Sequence, residues 1–546
     1  MVTYDDWGNE KPSWSCLRVF RVAFWSVLLL GGVGGAAYGI YIATHKKGHG
    51  GGSNPSYGPV PITTNNYTFS NALSLTLQFL NGQKSGKLPA PFPIKWRGDS
   101  CLTDGSDVGL DLTGGLYDAG DHIKFGLPMA YTATILAWGV LEYGPQMQAQ
   151  NQLSEAVDRI KWITDYIIKA HPSPNVYYFQ VGDPNIDHKC WQRAEDVNHT
   201  RPSSQVNATS PGSDVAGEAA AALAAASIVF KRSSSYMNTT YAALLLSHST
   251  QLFTFADTYQ GLYSESFPEV EDFYNSTGFE DELLWAASWL YQATGENTYI
   301  NYVTGTQGQL YGAFDKAPLW LSWDDKRAGV QVLLSRTKLL SAPSGNLGAT
   351  ALSSYQSTAD KLMCALLPNS PSATLDRSKG GMIWVTAWDA SIETVNAAFL
   401  ALVYSDYLLA AKSELTCSGY TYASAQVRHF AFTQVDYLLG NNPAKRSYLV
   451  GYGNTYSQFL HHRGASIPED GNVYDCGTGF EWLYSTAANP NIAYGGLVGG
   501  PAENDTFTDD RSNTQQNEAA TYNSATLAGL LAGLSYLNPG GVPVTL

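Results

Sequence analysis

Two aspartates, Asp118 and Asp121, stand three positions apart within the run from Tyr117 to Gly126. The glycine between them and the Gly114–Gly115 pair before them indicate a loop, which leads into an apolar segment that starts at Pro128. Two carboxylates at this spacing could hold a water molecule and remove its proton. The same turn could instead cap a helix or bind calcium, so a catalytic interpretation needs a partner elsewhere in the chain.

Glu518 is the candidate partner, because it lies in a polar, glutamine-rich loop where the last apolar helix is predicted to begin. A glutamate at such a place could simply complement the positive end of the helix dipole. Burial of the same side chain would instead raise its pKa, so that it keeps its proton near neutrality. In that case Glu518 would suit a general acid, opposite a base supplied by Asp118 and Asp121.

Three further loops combine polar groups in patterns that suit sugar recognition. His461 and Arg463 offer adjacent hydrogen-bond donors that could hold a hydroxyl or a carboxylate, although both could also be solvated surface groups. Trp191 follows His188 closely in one loop, and Trp323 lies beside acidic residues in another. A tryptophan among polar groups is typical of a stacking site for a sugar ring, but either one could equally be a core anchor.

Composition narrows the class of ligand. The chain has 546 residues, a formal net charge of -15 and 12% aromatic residues, including 14 Trp and 34 Tyr. This acidity disfavours a polyanionic ligand. The sequence contains no basic stripe, Gly-rich phosphate loop or Cys/His metal spacing, which argues against nucleic acid, nucleotides and zinc. A neutral carbohydrate fits an acidic, aromatic-rich protein better.

A run of 22 uncharged residues, 22–43, lies near the N-terminus. As a helix it would be about 33 Å long, enough to span a bilayer. Basic residues flank both ends, so charge does not set the orientation. Six Asn-x-Ser/Thr sequons lie downstream of the run and place the large domain in the secretory lumen or outside the cell. The sequons begin at Asn66, Asn198, Asn207, Asn238, Asn275 and Asn504.

The sequence therefore predicts a single-pass type II membrane protein of the plasma membrane, Golgi or secretory pathway. Its segments are a cytosolic head (1–21), a signal anchor (22–43), a Gly/Pro/Ser-rich stalk (44–66) and a catalytic domain (67–540). The alternative is a cleaved signal peptide, which would release a secreted protein. The oligomeric state does not follow from the sequence.

The pattern within the large domain is helical. About a dozen apolar segments recur at helical spacing and are separated by long loops, whereas strand-like alternation is sparse. Helical hairpins closed into a ring, with loops forming a groove at one end, would account for this pattern. Five of the six cysteines follow the predicted anchor, so at least one of them remains unpaired or pairs between chains, and no connectivity follows.

Taken together, these segments resemble the plant endoglucanases of glycoside hydrolase family 9. The resemblance extends from Phe69 to Leu537 and is carried by the runs at 117–126, 323–326, 434–443 and 461–463. It implies an all-α (α/α)6 barrel of about twelve helices. It also implies hydrolysis of internal β-1,4-glucosidic bonds of cellulose or related glucans with inversion of the anomeric carbon, in cell-wall polysaccharide metabolism.

The resemblance also implies roles for individual residues. Asp121 matches the catalytic base, Asp118 the companion that grips the water, and Glu518 the acid. His461 and Asp509 match further catalytic positions. The positions implied to bind substrate are Arg463, His188, Trp191, Trp323, Trp388 and Tyr522. Inverting enzymes hold acid and base about 6.5–9.5 Å apart, so distant loops can supply them. No cofactor is expected to be required; a structural calcium ion is possible but is not indicated by the sequence.

Four positions depart from the family pattern. They are Thr455, Thr514, Ser524 and Ile392, the last within the stretch from Asp389 to Glu393 that follows Trp388. Such departures could weaken the cleft, and they motivate a second hypothesis: a weakly active or inactive glucan-binding component of a wall-synthesis assembly. Which β-glucan is the substrate is left open by the sequence.

Overall fold

The computed structural model describes residues 69–535, except 234, 315, 317 and 341–348. The predicted head, anchor and stalk, together with the sequon at Asn66, lie outside the described residues.

Helices dominate the described residues, twelve of them eight or more residues long. They are α1 (Phe69–Gly82), α2 (Gly126–Ala149), α3 (Leu153–Ala170), α4 (Ser213–Arg232), α5 (Thr239–Thr258), α6 (Glu280–Thr294), α7 (Asn297–Thr304), α8 (Arg327–Leu340), α9 (Ala349–Leu366), α10 (Ser391–Ala411), α11 (Ser424–Leu438) and α12 (Thr521–Leu534). Shorter α-helices span Pro184–Asp187, Tyr263–Ser266, Glu271–Tyr274, Thr306–Tyr311, Arg463–Ser466, Phe480–Leu483 and Thr514–Asn517. Short 3-10 helices span Ser106–Val108, Ala194–Asp196 and Pro268–Val270.

Six of the long helices form a closed inner ring. In chain order α2, α4, α6, α8, α10 and α12 each pack against the next, and α12 packs against α2. The other six pack on the outside: α3, α5, α7, α9 and α11 each lie against an inner helix next to them in the chain, and α1 lies against α12. This arrangement confirms the predicted (α/α)6 barrel of about twelve helices.

The inner helices are buried because they are apolar on nearly every side. The helices α4 and α10 are long and apolar enough to cross a membrane, with a mean hydropathy of 1.4 in their most apolar windows. Those windows are 100% and 78% buried, so within the described residues both are core helices of the barrel. Where α2 crosses α12, a Cβ on Gly139 would lie 2.9 Å from the Cα of Gly529, so this close approach requires glycine.

Five short strands accompany the helices. Strands β1 (Lys124–Phe125), β2 (Val176–Val181) and β3 (Ser203–Asn207) form an antiparallel sheet in that order. Strands β4 (Leu415–Cys417) and β5 (Tyr420–Tyr422) form an antiparallel pair. Because β1 directly follows the loop of Asp118 and Asp121, the first sheet fixes that loop to the body of the domain.

Two disulfide bonds join distant segments. Cys190 pairs with Cys476 across 286 positions, and Cys364 pairs with Cys417. Cys101 has a free thiol, which lies 3.0 Å from the Tyr117 hydroxyl. The predicted odd cysteine is therefore Cys101, and the first disulfide connects two loops that contribute to the candidate site.

The described sequons lie at the surface. Four of their asparagines are exposed, and the fifth, Asn207, is half-buried in a tight turn. The exposed asparagines are Asn198, Asn238, Asn275 and Asn504. These positions leave room for a glycan, while occupancy stays a prediction.

An aromatic cluster fills the centre of the barrel. Trp138 of α2 lies 5.7 Å from Trp285 and 5.8 Å from Trp289 of α6, and 5.2 Å from Phe399 of α10, measured between ring centroids. Trp138, Trp285, Trp289 and Phe399 are fully buried. Aromatic side chains from three inner helices therefore pack against one another across the axis of the barrel.

We expect Trp138→Ala to lower the free energy of unfolding by about 3–5 kcal/mol, since it opens a cavity at the barrel axis. The control is Trp388→Ala, because the Trp388 side chain is 57% exposed and such surface changes stay within about 0.5 kcal/mol. Urea denaturation followed by circular dichroism measures both. Equal midpoints for the two variants would contradict the importance of the cluster.

Candidate active site

Three loops meet at Gly120, the residue between the two aspartates. Its N–H donates to Glu518 Oε1 at 3.2 Å, and its carbonyl oxygen accepts from the N–H of Arg463 at 3.1 Å. A Cβ at this position would lie 2.3 Å from the carbonyl oxygen of His461, so no other residue fits. The loops of Asp121, His461 and Glu518 are thereby placed in direct contact, as the sequence predicted for a shared site.

Asp121 is held in its ionised form by neighbours from other loops. Its Oδ1 accepts from the N–H of Ile123 at 3.2 Å, and its Oδ2 lies 3.2 Å from His188 Nε2. Burial alone would raise the pKa of Asp121. The hydrogen bond and charge of His188, with the charge of Arg463, outweigh burial and hold the pKa below its usual value. Asp121 can therefore accept a proton.

Asp118 lies in the opposite environment, although it is only three residues away. Its carboxyl group is buried, Oδ2 accepts a short hydrogen bond from the Tyr274 hydroxyl, and Oδ1 accepts none from the described residues. Burial, followed by the charge of Asp121, raises the pKa of Asp118 well above its usual value. The two aspartates thus share one negative charge, and it resides on Asp121.

Glu518 lies between the short helix Thr514–Asn517 and α12, on extended backbone. Burial raises its pKa above the usual value, partly opposed by the charge of His461. A carboxyl group in this state keeps its proton at a pH where Asp121 has lost its own. The pair therefore combines an acid and a base on two sides of Gly120.

Positive groups line the base side of the site. Arg463 Nη1 donates to Asp187 Oδ2 at 2.5 Å, and its guanidinium lies 5.6 Å from the Trp191 ring. Burial would lower the pKa of His188, but its hydrogen bond to Asp121 and the charges of Asp121 and Asp187 raise it. Ligand atoms of Asp121, Asp187 and His188 lie within 4.8 Å of one another, close enough for a metal ion. Since Arg463 and His188 already bond these carboxylates, the group forms an ion-pair network.

Trp191, predicted to bind substrate, is 3% exposed and donates from Nε1 to Ser466 Oγ at 2.9 Å. Its ring lies 4.9 Å from the His461 ring. This burial favours the alternative that Trp191 is a core anchor, whose ring packs against His461 and Arg463. His461 Nδ1 lies 2.6 Å from the carbonyl oxygen of Arg511, which fixes the imidazole beside Glu518.

Asp509 connects the loop that carries Glu518 to neighbouring loops through hydrogen bonds and an ion pair. Its Oδ1 accepts from Ser457 Oγ at 2.7 Å and from the N–H of Phe459 at 3.2 Å, and its Oδ2 pairs with Arg446 at 3.1 Å. Both carboxylate oxygens are thus occupied by loop groups. Asp509 lies near the site through Asn517, whose carbonyl oxygen accepts from the N–H of His461. Its predicted catalytic role stays a prediction.

Three other aromatic residues are predicted to bind substrate. Trp323 and Tyr522 lie on the side of Tyr274, and Trp388 is exposed at the surface. The half-buried Trp323 lies 4.8 Å from the Tyr274 ring, and Tyr522 is 6% exposed. Lys326 holds the Trp323 loop, because its ammonium donates to the Trp323 carbonyl and to Glu282. These groups lie on the Asp118 side of the site.

Among the described contacts of the four departures from the family pattern, Thr514 touches the carboxylate centre through its backbone, because its carbonyl oxygen accepts from the N–H of Glu518 at 3.1 Å. Ile392 and Ser524 are buried, Thr514 begins a short helix, and the Thr455 carbonyl oxygen accepts from the N–H of Ser447. Their effect on activity stays a prediction.

Two functional neighbours were missed by reasoning from the sequence alone. Tyr274 carries no motif of its own, and only the fold brings its hydroxyl to Asp118. Asp389 gave a partial signal, because it follows the predicted Trp388 directly and stands in a stretch that departs from the family pattern. Its importance depends on contacts with α12, which the sequence does not reveal.

Comparison with known proteins gives consistent matches. The model of glycosyl hydrolase family 9 matches residues 69–531. Endoglucanase 24 of Oryza sativa subsp. japonica is 53% identical, over 90% of this chain and 93% of that protein. The endoglucanase of the termite Nasutitermes takasagoensis is 38% identical with a TM-score of 0.76, over 86% of this chain and 99% of that chain.

A further similar structure contains bound sugars. Endoglucanase CelQ from Clostridium thermocellum, complexed with cellobiose and cellotriose, is 30% identical with a TM-score of 0.69, over 86% of this chain and 70% of that one. The family match covers nearly all of the described residues, and the site residues that carry the motifs lie within it. The chain belongs to glycosyl hydrolase family 9.

Proposed function

We propose that this protein is an endo-β-1,4-glucanase that cleaves internal bonds of cellulose or a related β-glucan with inversion, in cell-wall polysaccharide metabolism. The observation that carries the proposal is the opposed state of two carboxyl groups beside Gly120. Neighbouring positive groups lower the pKa of Asp121, and burial raises the pKa of Glu518. Family membership and the endoglucanase relatives support the same activity.

In the proposed reaction, Asp121 removes a proton from a water molecule that attacks the anomeric carbon. Asp118 orients this water through Oδ1, since Tyr274 holds Oδ2. Glu518 donates its proton to the departing glucosidic oxygen. Water attacks from the face opposite the leaving group, so a β-linked substrate yields an α-anomer and no covalent intermediate forms.

The proposed substrate is a neutral β-1,4-glucan chain. The exposed ring of Trp388 and the half-buried ring of Trp323 offer apolar faces on which sugar rings could stack. The complex of a similar endoglucanase with cellobiose and cellotriose supports this class of ligand. His188 and Arg463 supply donors next to the base.

A second candidate is a glucan-binding component of a wall-synthesis assembly with little hydrolysis. The departures at Thr455, Thr514, Ser524 and Ile392 favour it. The assembled carboxylate centre favours the enzyme, because a pure binding protein would not need Asp121 and Glu518 in opposite protonation states. Turnover by the wild-type protein separates the two candidates.

We also propose that residues 22–43 anchor the protein as a type II membrane protein with its catalytic domain in the lumen or outside. The uncharged run and the exposed sequons support this topology. A secreted protein after signal cleavage is the alternative.

Replacement of either reacting carboxyl group should abolish most hydrolysis. We expect Asp121→Asn and Glu518→Gln each to lower the turnover of soluble carboxymethyl-cellulose by about 10²–10⁴-fold, because each removes one proton-transfer step. Reducing-end release measures the rate. Asp510→Asn is the matched control, since Asp510 is exposed and its carboxylate accepts hydrogen bonds only from Ser512 among the described residues.

Proton NMR of the first products should show the α-anomer in the wild type. Equal rates in all variants would contradict the assignment of base and acid, and an early β-anomer would contradict inversion. Cellulose binding without turnover in the wild type would support the binding component instead.

His188 should set the acid limit of activity. In His188→Gln the positive charge that lowers the pKa of Asp121 is lost, so that pKa rises and the base ionises only at higher pH. We expect the acid limb of the kcat/KM profile to move up by about 0.5–1 pH unit. His429→Gln on α11 is the control, and an unmoved acid limb in His188→Gln would rule out this role.

The anchor predicts an intact N-terminus in the mature protein. N-terminal sequencing of protein from the membrane fraction should find residues 1–21 retained, and alkaline carbonate should not extract it. A mature start near residue 38 in a soluble fraction would show a secreted protein.

A further inference from the structure

An aromatic segment, residues 474–484, lies beside the candidate site and takes no part in the proposed reaction. Four of its eleven residues are aromatic: Tyr474, Phe480, Trp482 and Tyr484. Its short helix Phe480–Leu483 packs against the short helix Arg463–Ser466, whose first residue is predicted to bind substrate. The aromatic segment therefore adjoins the part of the site that the His461 loop forms.

The aromatic segment is also joined to the loop of His188. Cys476 forms the disulfide bond with Cys190, two positions after His188. The carbonyl oxygen of Cys476 accepts from the N–H of Trp191 at 3.2 Å. The segment is thus attached to both loops that supply positive groups to the base side of the site.

Three rings lead from the buried part of the site to the surface. The buried Trp191 ring lies 4.9 Å from the His461 ring on one side and 6.5 Å from the half-buried Phe480 ring on the other. Tyr484 follows Phe480 by one helical turn, and their rings lie 6.4 Å apart at an angle of 23°. Since Tyr484 is 72% exposed, the series ends on an open aromatic surface.

Arg511 fixes this surface relative to His461. Its carbonyl oxygen accepts from His461 Nδ1 at 2.6 Å, and its buried guanidinium donates to the chain that follows Phe480. The acceptors are the carbonyl oxygens of Trp482, Leu483, Ser485 and Ala487 and the side chain of Asn489. A planar guanidinium group with so many partners holds them in one geometry. Tyr484 therefore has a fixed position relative to His461, although its side chain is at the surface.

Charge and size limit the kind of ligand that this surface can take. Residues 464–510 contain no Lys, Arg or His, whereas Asp475 and Glu481 lie within the aromatic segment, so an anionic ligand is disfavoured. The rings of Phe480 and Tyr484 also offer much less area than the roughly 800 Å² per partner of a stable protein interface. A neutral sugar ring fits both limits, because its C–H face can stack on an aromatic ring.

We propose that Phe480 and Tyr484 form a further sugar-binding subsite, which stacks on a glucose unit of a long β-glucan chain beyond the units at the carboxyl groups. Because the subsite is remote from the reacting bond, it binds ground state and transition state equally, and so it lowers KM without changing kcat. The subsite thereby makes the protein select long chains over short oligosaccharides. This inference rests on the proposed β-glucan substrate.

Tyr484→Ala tests the subsite on a long and a short substrate. We expect its KM for swollen cellulose to rise by about 3–10-fold at unchanged kcat, and its kcat/KM for cellotetraose to stay at the wild-type value. Tyr484→Phe keeps the ring and should match the wild type on both substrates. An equal loss in the Ala and Phe variants, or an equal loss on both substrates, would overturn stacking on a distant unit.

Tyr420→Ala is the matched control. Tyr420 is also an exposed tyrosine, 59% exposed on β5, and its partner strand β4 lies against the outer helix α9, away from the aromatic segment. Both alanine variants should unfold at the wild-type temperature, because each changes an exposed side chain. A rise in KM for swollen cellulose as large in Tyr420→Ala as in Tyr484→Ala would show general adhesion of exposed rings and overturn the subsite.

Binding without turnover separates the subsite from the proposed hydrolysis. Glu518→Gln should bind swollen cellulose about 3–10-fold more tightly than the double variant with Tyr484→Ala, measured by depletion of protein from solution. Equal binding of the two proteins, with hydrolysis by the wild type, overturns only the subsite. Binding that depends on Tyr484, in a wild type without hydrolysis, overturns the proposed reaction and supports the subsite. Equal binding together with a dimer that Tyr484→Ala dissociates would assign the surface to a second copy of the chain and overturn the inference.

Discussion

The contact between Gly120 and the backbone of the His461 loop is the constraint on which the site depends. The glycine has room for no side chain, and its N–H and carbonyl oxygen bond to the acid loop and to Arg463 respectively. Loops that are hundreds of residues apart in sequence therefore have one relative position. A methyl group at Gly120 would separate the base from the acid without altering either carboxyl group.

The barrel explains why these loops converge. The base precedes α2, Tyr274 precedes α6, Asp389 precedes α10 and Glu518 precedes α12, and all four helices belong to the inner ring. Because outer helices return the chain between them, the inner helices present their N-terminal ends at the same side. The partial positive charge of those ends suits a cluster of acidic groups.

Much of this arrangement could be predicted from local sequence, because helical spacing and loop composition are local properties. Apolar residues recur at helical spacing in the segments 69–81, 129–143, 240–257, 281–293, 348–366, 393–412, 422–440 and 519–536, and the described part of each segment lies in a helix, with the largest shift at the C-terminal end of α2. The start of α11 moves to Ser424, since residues 420–422 pair with β4 instead. The burial of Trp191 and the pairing of Cys190 with Cys476 could not be predicted, because both depend on which distant loops meet.

The different charge states of Asp118 and Asp121 show most clearly what local sequence cannot predict. In the sequence the two residues are equivalent acids in one turn, and nothing local assigns the negative charge to either. His188 and Arg463 stabilise the charge on Asp121, whereas burial and the neighbouring charge of Asp121 keep Asp118 neutral. His188 and Arg463 come from two other loops, so the identity of the base is a property of the assembled barrel.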